Sequence, residues 1–357
     1  MSTMYVYCIA PSGLQPTFGP IGLGSPRGEV IPVQYRDLTA IVSEVQEFDL
    51  SGLSPETIFR YLGMHQSVVE QVMKRTDTVL PVKFGTAAAG EEEVREILAA
   101  GYEELGACLQ RVEGLIELDL IVTYSNMEKI FAGIAREPEI ARARTEAEKL
   151  PPEQLQRARV ELGLLVMKSL ERRREQLADE FSAGVAPVVR DIAFNDRKDD
   201  AMLVNAGLLV RKEDEPELHE CIAALDEQFC GDLHFKCVGP LPPYSFSTVE
   251  IEKVGRADIE SARSNLDLAD RASLKEINEA HRERARELHP DRNRDVPGGA
   301  KRFQALARSY RLLHEICMSH RHDFEDVEEH GFHSIRVRQL EEIRRDAPPA
   351  HGSATTL

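Results

Sequence analysis

Apolar positions in the first third of the chain recur with periods of two and of three to four residues. Period-two runs rich in β-forming residues predict strands, and stretches with apolar residues three or four apart predict amphipathic helices. The predicted strands are residues 4–10, 30–35, 38–45, 78–86 and 115–124, and the predicted helices are residues 54–75 and 91–112. This order predicts an α+β domain over residues 1–125, in which helices cover one face of a mainly antiparallel sheet.

A second α+β domain is predicted over residues 126–251. Helical periodicity dominates its first half, and Pro151 and Pro152 interrupt it because proline breaks helical hydrogen bonding. The longer helical arm, 153–182, has an apolar stripe among many charged residues, which predicts an extended helix that packs along one side. The elements predicted after it are strands over 185–195, 201–210 and 233–239, a helix over 215–229, and a proline-rich closing segment over 239–246.

The C-terminal third predicts an all-helical unit over residues 258–320, followed by a polar and flexible tail over 324–357. Its helical segments are predicted at 258–268, 273–288 and 300–317. Proline disfavours helical geometry in the residue before it, so the second helix should end at Leu288. The last two helices then form an antiparallel hairpin with His289, Pro290 and Asp291 at its tip.

The net charge and its distribution along the chain exclude some functional classes. The 357 residues have a formal net charge of −17 and no tryptophan, which argues against a general binder of nucleic acids or anionic membranes. Residues 271–311 differ, with 11 Lys and Arg against 6 Asp and Glu. A basic segment in an acidic chain indicates a module of separate origin. Because we found no apolar run of membrane-spanning length and no signal-peptide layout, we expect a soluble cytoplasmic protein.

Other candidate motifs for nucleotide binding, metal binding or catalysis in the chain are weak. The glycine-rich loop runs between two predicted strands, whereas a phosphate-binding loop would open a helix, so we favour a β–β connection over nucleotide binding. The end of the last predicted helix is rich in histidine and cysteine, and ordinary helix-end histidines explain this more simply than a metal site does. These two groups are Gly19, Gly22, Gly24 and Gly28, and His314, Cys317, His320 and His322. The six cysteines are expected to be reduced, and without GxSxG or HExxH patterns we predict a binding protein with no cofactor or metal rather than an enzyme.

The helical unit resembles the J domain of DnaJ-type co-chaperones from about Ala262 to His314. A short first helix, a second helix that precedes His289-Pro290-Asp291, and aromatic residues in the third helix all match. The resemblance implies that this tripeptide stimulates ATP hydrolysis by a DnaK-type chaperone and that basic residues of the second helix dock on its acidic surface. The residues expected to bind the chaperone are His289, Pro290, Asp291, Arg282, Arg286 and Arg292.

The second helix also departs from the J-domain pattern. Glu283 and Glu287 stand where the family usually has basic residues, and Arg284 replaces a usual leucine. Like charges facing an acidic partner weaken docking, and Arg286, Arg292 and Arg294 are candidates to compensate. Chaperone stimulation and an inert interaction module are therefore both kept as hypotheses.

Residues 1–251 resemble the gas vesicle GvpF/GvpL family. The segments that carry the resemblance are MYVYCIA, LTAIVSEV, HQSVVEQV, VLPVKFGT, VNAGLLV and GPLPPYSF, in this order. The resemblance implies a ferredoxin-like N-terminal domain, a second α+β domain with long helices, and binding to the small hydrophobic shell protein of GvpA type. We expect the residues of these segments to specify how the fold packs rather than to catalyse a reaction.

Together, the two resemblances give a leading hypothesis and an alternative. The leading hypothesis is a gas vesicle assembly factor that binds the shell protein and other accessory proteins, and recruits a DnaK-type chaperone. The alternative is a minor structural or nucleating component of the vesicle. In both cases we expect the protein in the cytoplasm and at the gas vesicle.

Overall fold

The chain folds into two β-sheets with their helices, which we call the body (residues 3–254), and a C-terminal helical unit (residues 256–318). The computed structural model describes residues 3–24, 27–46, 49–50, 52–229, 231–288, 299–318, 324 and 332–338. None of the helices in this part of the chain is both long and apolar enough to cross a membrane.

The strands and helices follow the predicted order closely. The strands are β1 (Thr3–Pro11), β2 (Gly19–Gly22), β3 (Gly28–Tyr35), β4 (Leu38–Val45), β5 (Leu80–Pro81), β6 (Ala87–Ala88), β7 (Leu115–Tyr124), β8 (Asp191–Phe194), β9 (Met202–Arg211), β10 (Leu233–Leu241), β11 (Thr248–Val254) and β12 (Phe332–Arg338). The helices are α1 (Pro55–Met73), α2 (Glu91–Ala100), α3 (Tyr102–Arg111), α4 (Met127–Ile134), α5 (Pro138–Ala147), α6 (Pro152–Val185), α7 (Glu215–Gln228), α8 (Tyr244–Ser247), α9 (Arg256–Leu266), α10 (Leu274–Leu288) and α11 (Gly299–Met318).

The first sheet is antiparallel, with the strand order β2-β3-β4-β1-β5 and with β6 also paired to β1. Helices cover both of its faces, and the prediction of one covered face is wrong. Tyr5 and Tyr7 of β1 pack towards α1, whereas Val6 and Ile9 pack towards α2 and α3. The cause is visible in β1 itself, where consecutive apolar residues supply both faces of a buried strand.

A single helix was predicted over residues 91–112, but the structure has two, α2 and α3, which meet at Gly101. A Cβ added at Gly101 would lie 3.0 Å from Ile335 Cδ1 and 2.9 Å from Leu105 Cδ1. Glycine at this position therefore lets another segment of the chain pack against the junction of the two helices.

The second sheet has the strand order β10-β7-β9-β8. Strand β7 was grouped with the first domain in the sequence analysis, but it pairs with β9 and β10 over nearly its whole length. Its alternation was predicted correctly: Ile116, Leu118, Leu120 and Val122 lie together in the core beneath α6 and α7. Alternation specifies which face of a strand is buried but not which strand lies beside it.

The tail from residue 324 was expected to be irregular, and this prediction is wrong for its described residues. Phe324 is fully buried in the core of the helical unit. Phe332–Arg338 forms β12, which pairs antiparallel with β11 over seven residues. Ile335 and Val337 lie in the core of the first sheet, so apolar burial orders this segment.

Candidate functional site

Helices α9, α10 and α11 pack around one small core in the helical unit. Ile259, Ile277, Leu306 and Leu313 are buried in it, as their apolar spacing predicts. A reciprocal capping box begins α10: Ser273 Oγ accepts from the Glu276 N–H at 3.3 Å, and the Glu276 carboxylate accepts from the Ser273 N–H at 2.8 Å.

Tyr310 joins the two long helices on their polar side. Its hydroxyl donates to Asn278 Oδ1 at 2.8 Å, and its ring stacks on His281 with centroids 4.1 Å apart. Both contacts are to side chains of α10, one helical turn apart. The hairpin predicted from the sequence is therefore present, and its two helices are held in one register.

The described part of α10 runs to Leu288, the last residue before the predicted tip of the hairpin. His289, Pro290, Asp291 and Arg292 lie outside the described residues, so their predicted roles stay predictions.

Arg282 and Arg286 form an exposed basic stripe on α10. They are four residues apart, so they lie on one side of the helix, one turn from each other. Neither guanidinium has an ion-pair partner among the described residues. Their exposure is compatible with docking on an acidic partner, and their predicted role in binding a chaperone stays a prediction.

The acidic residues that depart from the J-domain pattern lie on a different stripe of α10. Glu283 and Glu287 are each one position after an arginine of the basic stripe, which rotates them by about 100° around the helix. Arg284 Nη1 lies 3.2 Å from Glu287 Oε2, and its Nη2 lies 3.7 Å from Asp267. The positive charge of Arg284 thus offsets the negative charge of Glu287, one of the two glutamates that depart from the J-domain pattern.

The histidine- and cysteine-rich end of α11 has ordinary packing contacts. His314 lies against the Tyr310 ring, and Cys317 is buried, where desolvation raises the pKa of its thiol. Within the described ranges, no group of three or more histidine, cysteine, aspartate or glutamate side chains is placed to bind a metal. His320 and His322 fall outside those ranges.

The glycine-rich segment joins two strands, as predicted, but its first part is not a loop, because Gly19–Gly22 forms β2 and pairs with β3. A Cβ at Gly22 would lie 2.8 Å from both Tyr7 Oη and Ser43 Cβ, and the Leu23 N–H donates to Tyr7 Oη at 2.6 Å. The β2–β3 hairpin packs so closely at position 22 that only glycine fits there.

Four of the sequence segments that carry the family resemblance meet in one buried cluster of the body. Tyr5 Oη lies 2.8 Å from His65 Nδ1 and accepts from the Gly85 N–H at 3.2 Å. Tyr7 Oη lies 2.7 Å from Ser43 Oγ. Burial lowers the pKa of His65 to about 4, so its imidazole is neutral at pH 7.

The closing segment 239–246 brings together the two sheets. Pro242 and Pro243 lead into α8, where Ser245 donates from its N–H and its Oγ to the Glu117 carboxyl, at 2.9 and 2.5 Å. Glu117 is fully buried, and this desolvation raises the pKa of its carboxyl. Gly207 makes room for it, since a Cβ there would lie 2.6 Å from Glu117 Oε1. The sequence analysis missed this buried acid, whose signal was a glutamate inside an apolar strand.

Helix α6 exposes an apolar stripe that the sequence analysis also missed. Val160, Leu164 and Met167 are spaced by four and three residues, and they are 55%, 65% and 50% exposed. The opposite side of the helix packs on α5, and Glu137 at the start of α5 binds both Arg172 and Arg173 of α6. The stripe therefore lies on the outer side of a two-helix arm.

A mixed α/β body joined to a J-type helical hairpin defines a class of two-part protein. The family described as gas vesicle synthesis protein GvpL/GvpF matches residues 3–248, and the DnaJ domain matches residues 264–323. The chain belongs to the GvpL/GvpF family and contains a J domain, which confirms both resemblances.

Known relatives agree with this assignment. Gas vesicle protein F of Microcystis aeruginosa (strain PCC 7806) is 26% identical over 192 residues, which are 53% of this chain and 77% of that protein. Gas vesicle protein F of Haloferax mediterranei is 23% identical over 225 residues, 62% and 83% of the two chains. The crystal structure of GvpF from Anabaena sp. PCC7120 has a TM-score of 0.59 at 21% identity and covers 69% of this chain and 98% of that one, so the body has the same fold.

Proposed function

We propose that this protein is an accessory factor of gas vesicle assembly that binds the hydrophobic shell subunit through its body and recruits a DnaK-type chaperone through its J domain. The observation that carries the proposal is the exposed pair Arg282 and Arg286, which have no ion-pair partner among the described residues, on a J domain joined to a GvpL/GvpF body. Exposed apolar surface aggregates unless it is covered, so a shell subunit needs a holding factor before it is assembled. The proposed role is binding in the cytoplasm and at the vesicle, without catalysis.

The chaperone part of the proposal is tested by ATP hydrolysis. We expect the full chain to raise the steady-state ATPase rate of a DnaK-type chaperone, and His289→Gln and the double change Arg282→Glu, Arg286→Glu to abolish the rise. The double change Arg142→Glu, Arg159→Glu, at exposed positions of α5 and α6 outside the J domain, makes the same change of charge and is the control. A wild-type rate no higher than the basal rate would contradict the proposal.

The apolar stripe of α6 supports the shell-binding part. It offers three large apolar side chains in a row, which is a common means of binding an apolar helix. We expect Leu164→Glu to reduce co-purification of a GvpA-type shell protein at least fivefold. Lys168→Glu, an exposed change one turn further along, should leave it unchanged. Equal recovery with Leu164→Glu and the wild type would place the shell-binding surface elsewhere.

One observation favours the alternative, a structural or nucleating component with an inert J domain. Glu283 is exposed beside the basic stripe and reduces its positive charge. The same ATPase measurement separates the two functions, because an inert J domain gives the basal rate for the wild type and for His289→Gln alike.

A further inference from the structure

The J domain lies between two strands that pair with each other. Strand β11 precedes it and β12 follows it, and their register runs from Thr248 opposite Arg338 to Val254 opposite Phe332. The helical unit therefore leaves and re-enters at one end of a two-stranded ribbon. A domain held at both ends in this way has less freedom of orientation than a domain on a flexible tether.

The ribbon is itself fixed to the body through β11. The Lys83 N–H donates to the Val249 carbonyl at 2.8 Å, and Val82 and Val249 form a parallel bridge. Lys83 Nζ also lies 3.2 Å from Glu250 Oε1. One edge of β11 thus contacts the end of the VLPVKFGT segment, and its other edge accepts β12.

One face of β12 binds the body. Ile335 and Val337 are buried in the core beneath α2 and α3, and Ile335 occupies the space that Gly101 leaves free. His333 Nε2 lies 3.1 Å from the carboxylate of Glu93. Residues 333, 335 and 337 alternate along the strand, so all three side chains point the same way.

The opposite face of β12 binds the helical unit. Phe332 is buried in the core of that unit together with Val254 of β11. Ser334 Oγ donates to Glu315 Oε2 of α11 at 2.8 Å, and Arg336 Nη2 lies 3.4 Å from the same oxygen. The seven-residue strand therefore contacts the body with one face and the J domain with the other.

We infer that the outer edge of β11, the Gly101 junction and Glu315 form a strand-binding groove, and that Phe332–Arg338 is its peptide ligand in cis. The groove takes an extended segment with apolar residues at alternate positions and a hydroxyl and a cation on the other face. The family matches end at residue 248 and resume over 264–323, so neither includes β12. By filling the groove, β12 sets the orientation of the J domain on the body. Where a chaperone binds as proposed above, it then acts from a fixed position.

The test compares two truncations of the full chain by hydrogen exchange. A chain that ends at Arg338 retains β12, and a chain that ends at Gly331 lacks it. We expect amides of residues 248–254 to exchange at least tenfold faster in the shorter chain, while α9–α11 and the first sheet keep their protection. Unchanged exchange in β11, or loss of protection throughout α9–α11, would overturn the inference.

Two further measurements keep the test decisive if the shorter chain is poorly folded. In the full-length chain, Ile335→Asp should accelerate exchange in β11, whereas Arg336→Gln, which removes only a half-exposed ion pair, should change it less than twofold. A synthetic peptide of residues 332–338 should restore protection to the shorter chain, and the same peptide with aspartate in place of Ile335 should not. A wild-type peptide with no effect on β11 would contradict a groove that binds a strand.

The outcome does not depend on the chaperone. If the shorter chain loses protection in β11 but still stimulates the ATPase, both the groove and the proposed function stand. If no chain stimulates the ATPase, the proposed function fails, and hydrogen exchange still decides the role of β12.

Discussion

His65 gives a quantitative test of the buried cluster that the family segments build. Its ring is 1% exposed, and burial lowers its pKa to about 4. In the unfolded chain an imidazole has a pKa of about 6.5. Since the folded-state pKa is the lower one, the unfolded chain binds the proton first, and stability that is complete above about pH 6.5 is lost as pH falls towards 4.

The size of the effect follows from the two pKa values. Each pKa unit is worth about 1.4 kcal/mol, so the full loss is about 3 kcal/mol, of which about 2 kcal/mol falls between pH 7 and pH 5. Glutamine at position 65 does not titrate in this range, and its side-chain amide can still form a hydrogen bond with Tyr5 Oη. His65→Gln should therefore remove about 2 kcal/mol from the pH dependence of the free energy of unfolding.

Urea denaturation of the wild type and His65→Gln at pH 7 and pH 5 measures this difference. His219→Gln is the control, because that imidazole is 50% exposed and stays in contact with water on folding. If the wild type and His65→Gln lose the same stability between the two pH values, the conclusion that His65 is buried in its neutral form is refuted. This holds whatever the absolute stabilities of the two chains are.

Three other predictions concern the helix junction, the buried acid and the charges of α10. Gly101→Val should lower the free energy of unfolding by about 1–3 kcal/mol through its clash with Ile335, measured by denaturation. Because burial raises the Glu117 pKa from 4.5 to about 8, the wild type loses stability as pH rises between these two values, and Glu117→Gln should flatten that fall. Glu283→Gln should speed chaperone association about two- to fivefold, more than Glu287→Gln, whose carboxylate already has a cationic partner.

The sequence predicted the local elements well because local rules specify them. Ser54 caps α1 and accepts from the Thr57 N–H at 3.3 Å, and Pro55 opens the helix. The J-domain hairpin was predicted from the spacing of its apolar residues, and these residues of α10 and α11 share one core. The exposure of Arg282 and Arg286 was likewise expected.

Pairing between distant segments could not be predicted. Residues 334–338 alternate between polar and apolar side chains as a strand does, but they are few and lie beside charged residues. Their partner, β11, is separated from them by the whole J domain. Strand β7 posed the same difficulty, since its alternation fits either sheet.

The buried polar residues were missed for a related reason. Glu117 lies in an apolar strand, where an isolated carboxyl would be costly, and only the arrival of Ser245 from a distant segment satisfies it. Val160, Leu164 and Met167 are apolar residues on a helix, and their exposure depends on where α5 packs.

We propose that this one chain connects the shell subunit to an ATP-driven chaperone. The most direct measurement is retention of a DnaK-type chaperone on immobilised GvpA-type shell protein, with the chain or its His289→Gln variant as the only link. We predict that the wild-type chain retains the chaperone in an ATP-dependent manner and that the variant binds the shell protein but retains no chaperone. Equal retention with the two chains, or none with the wild type, would contradict the account.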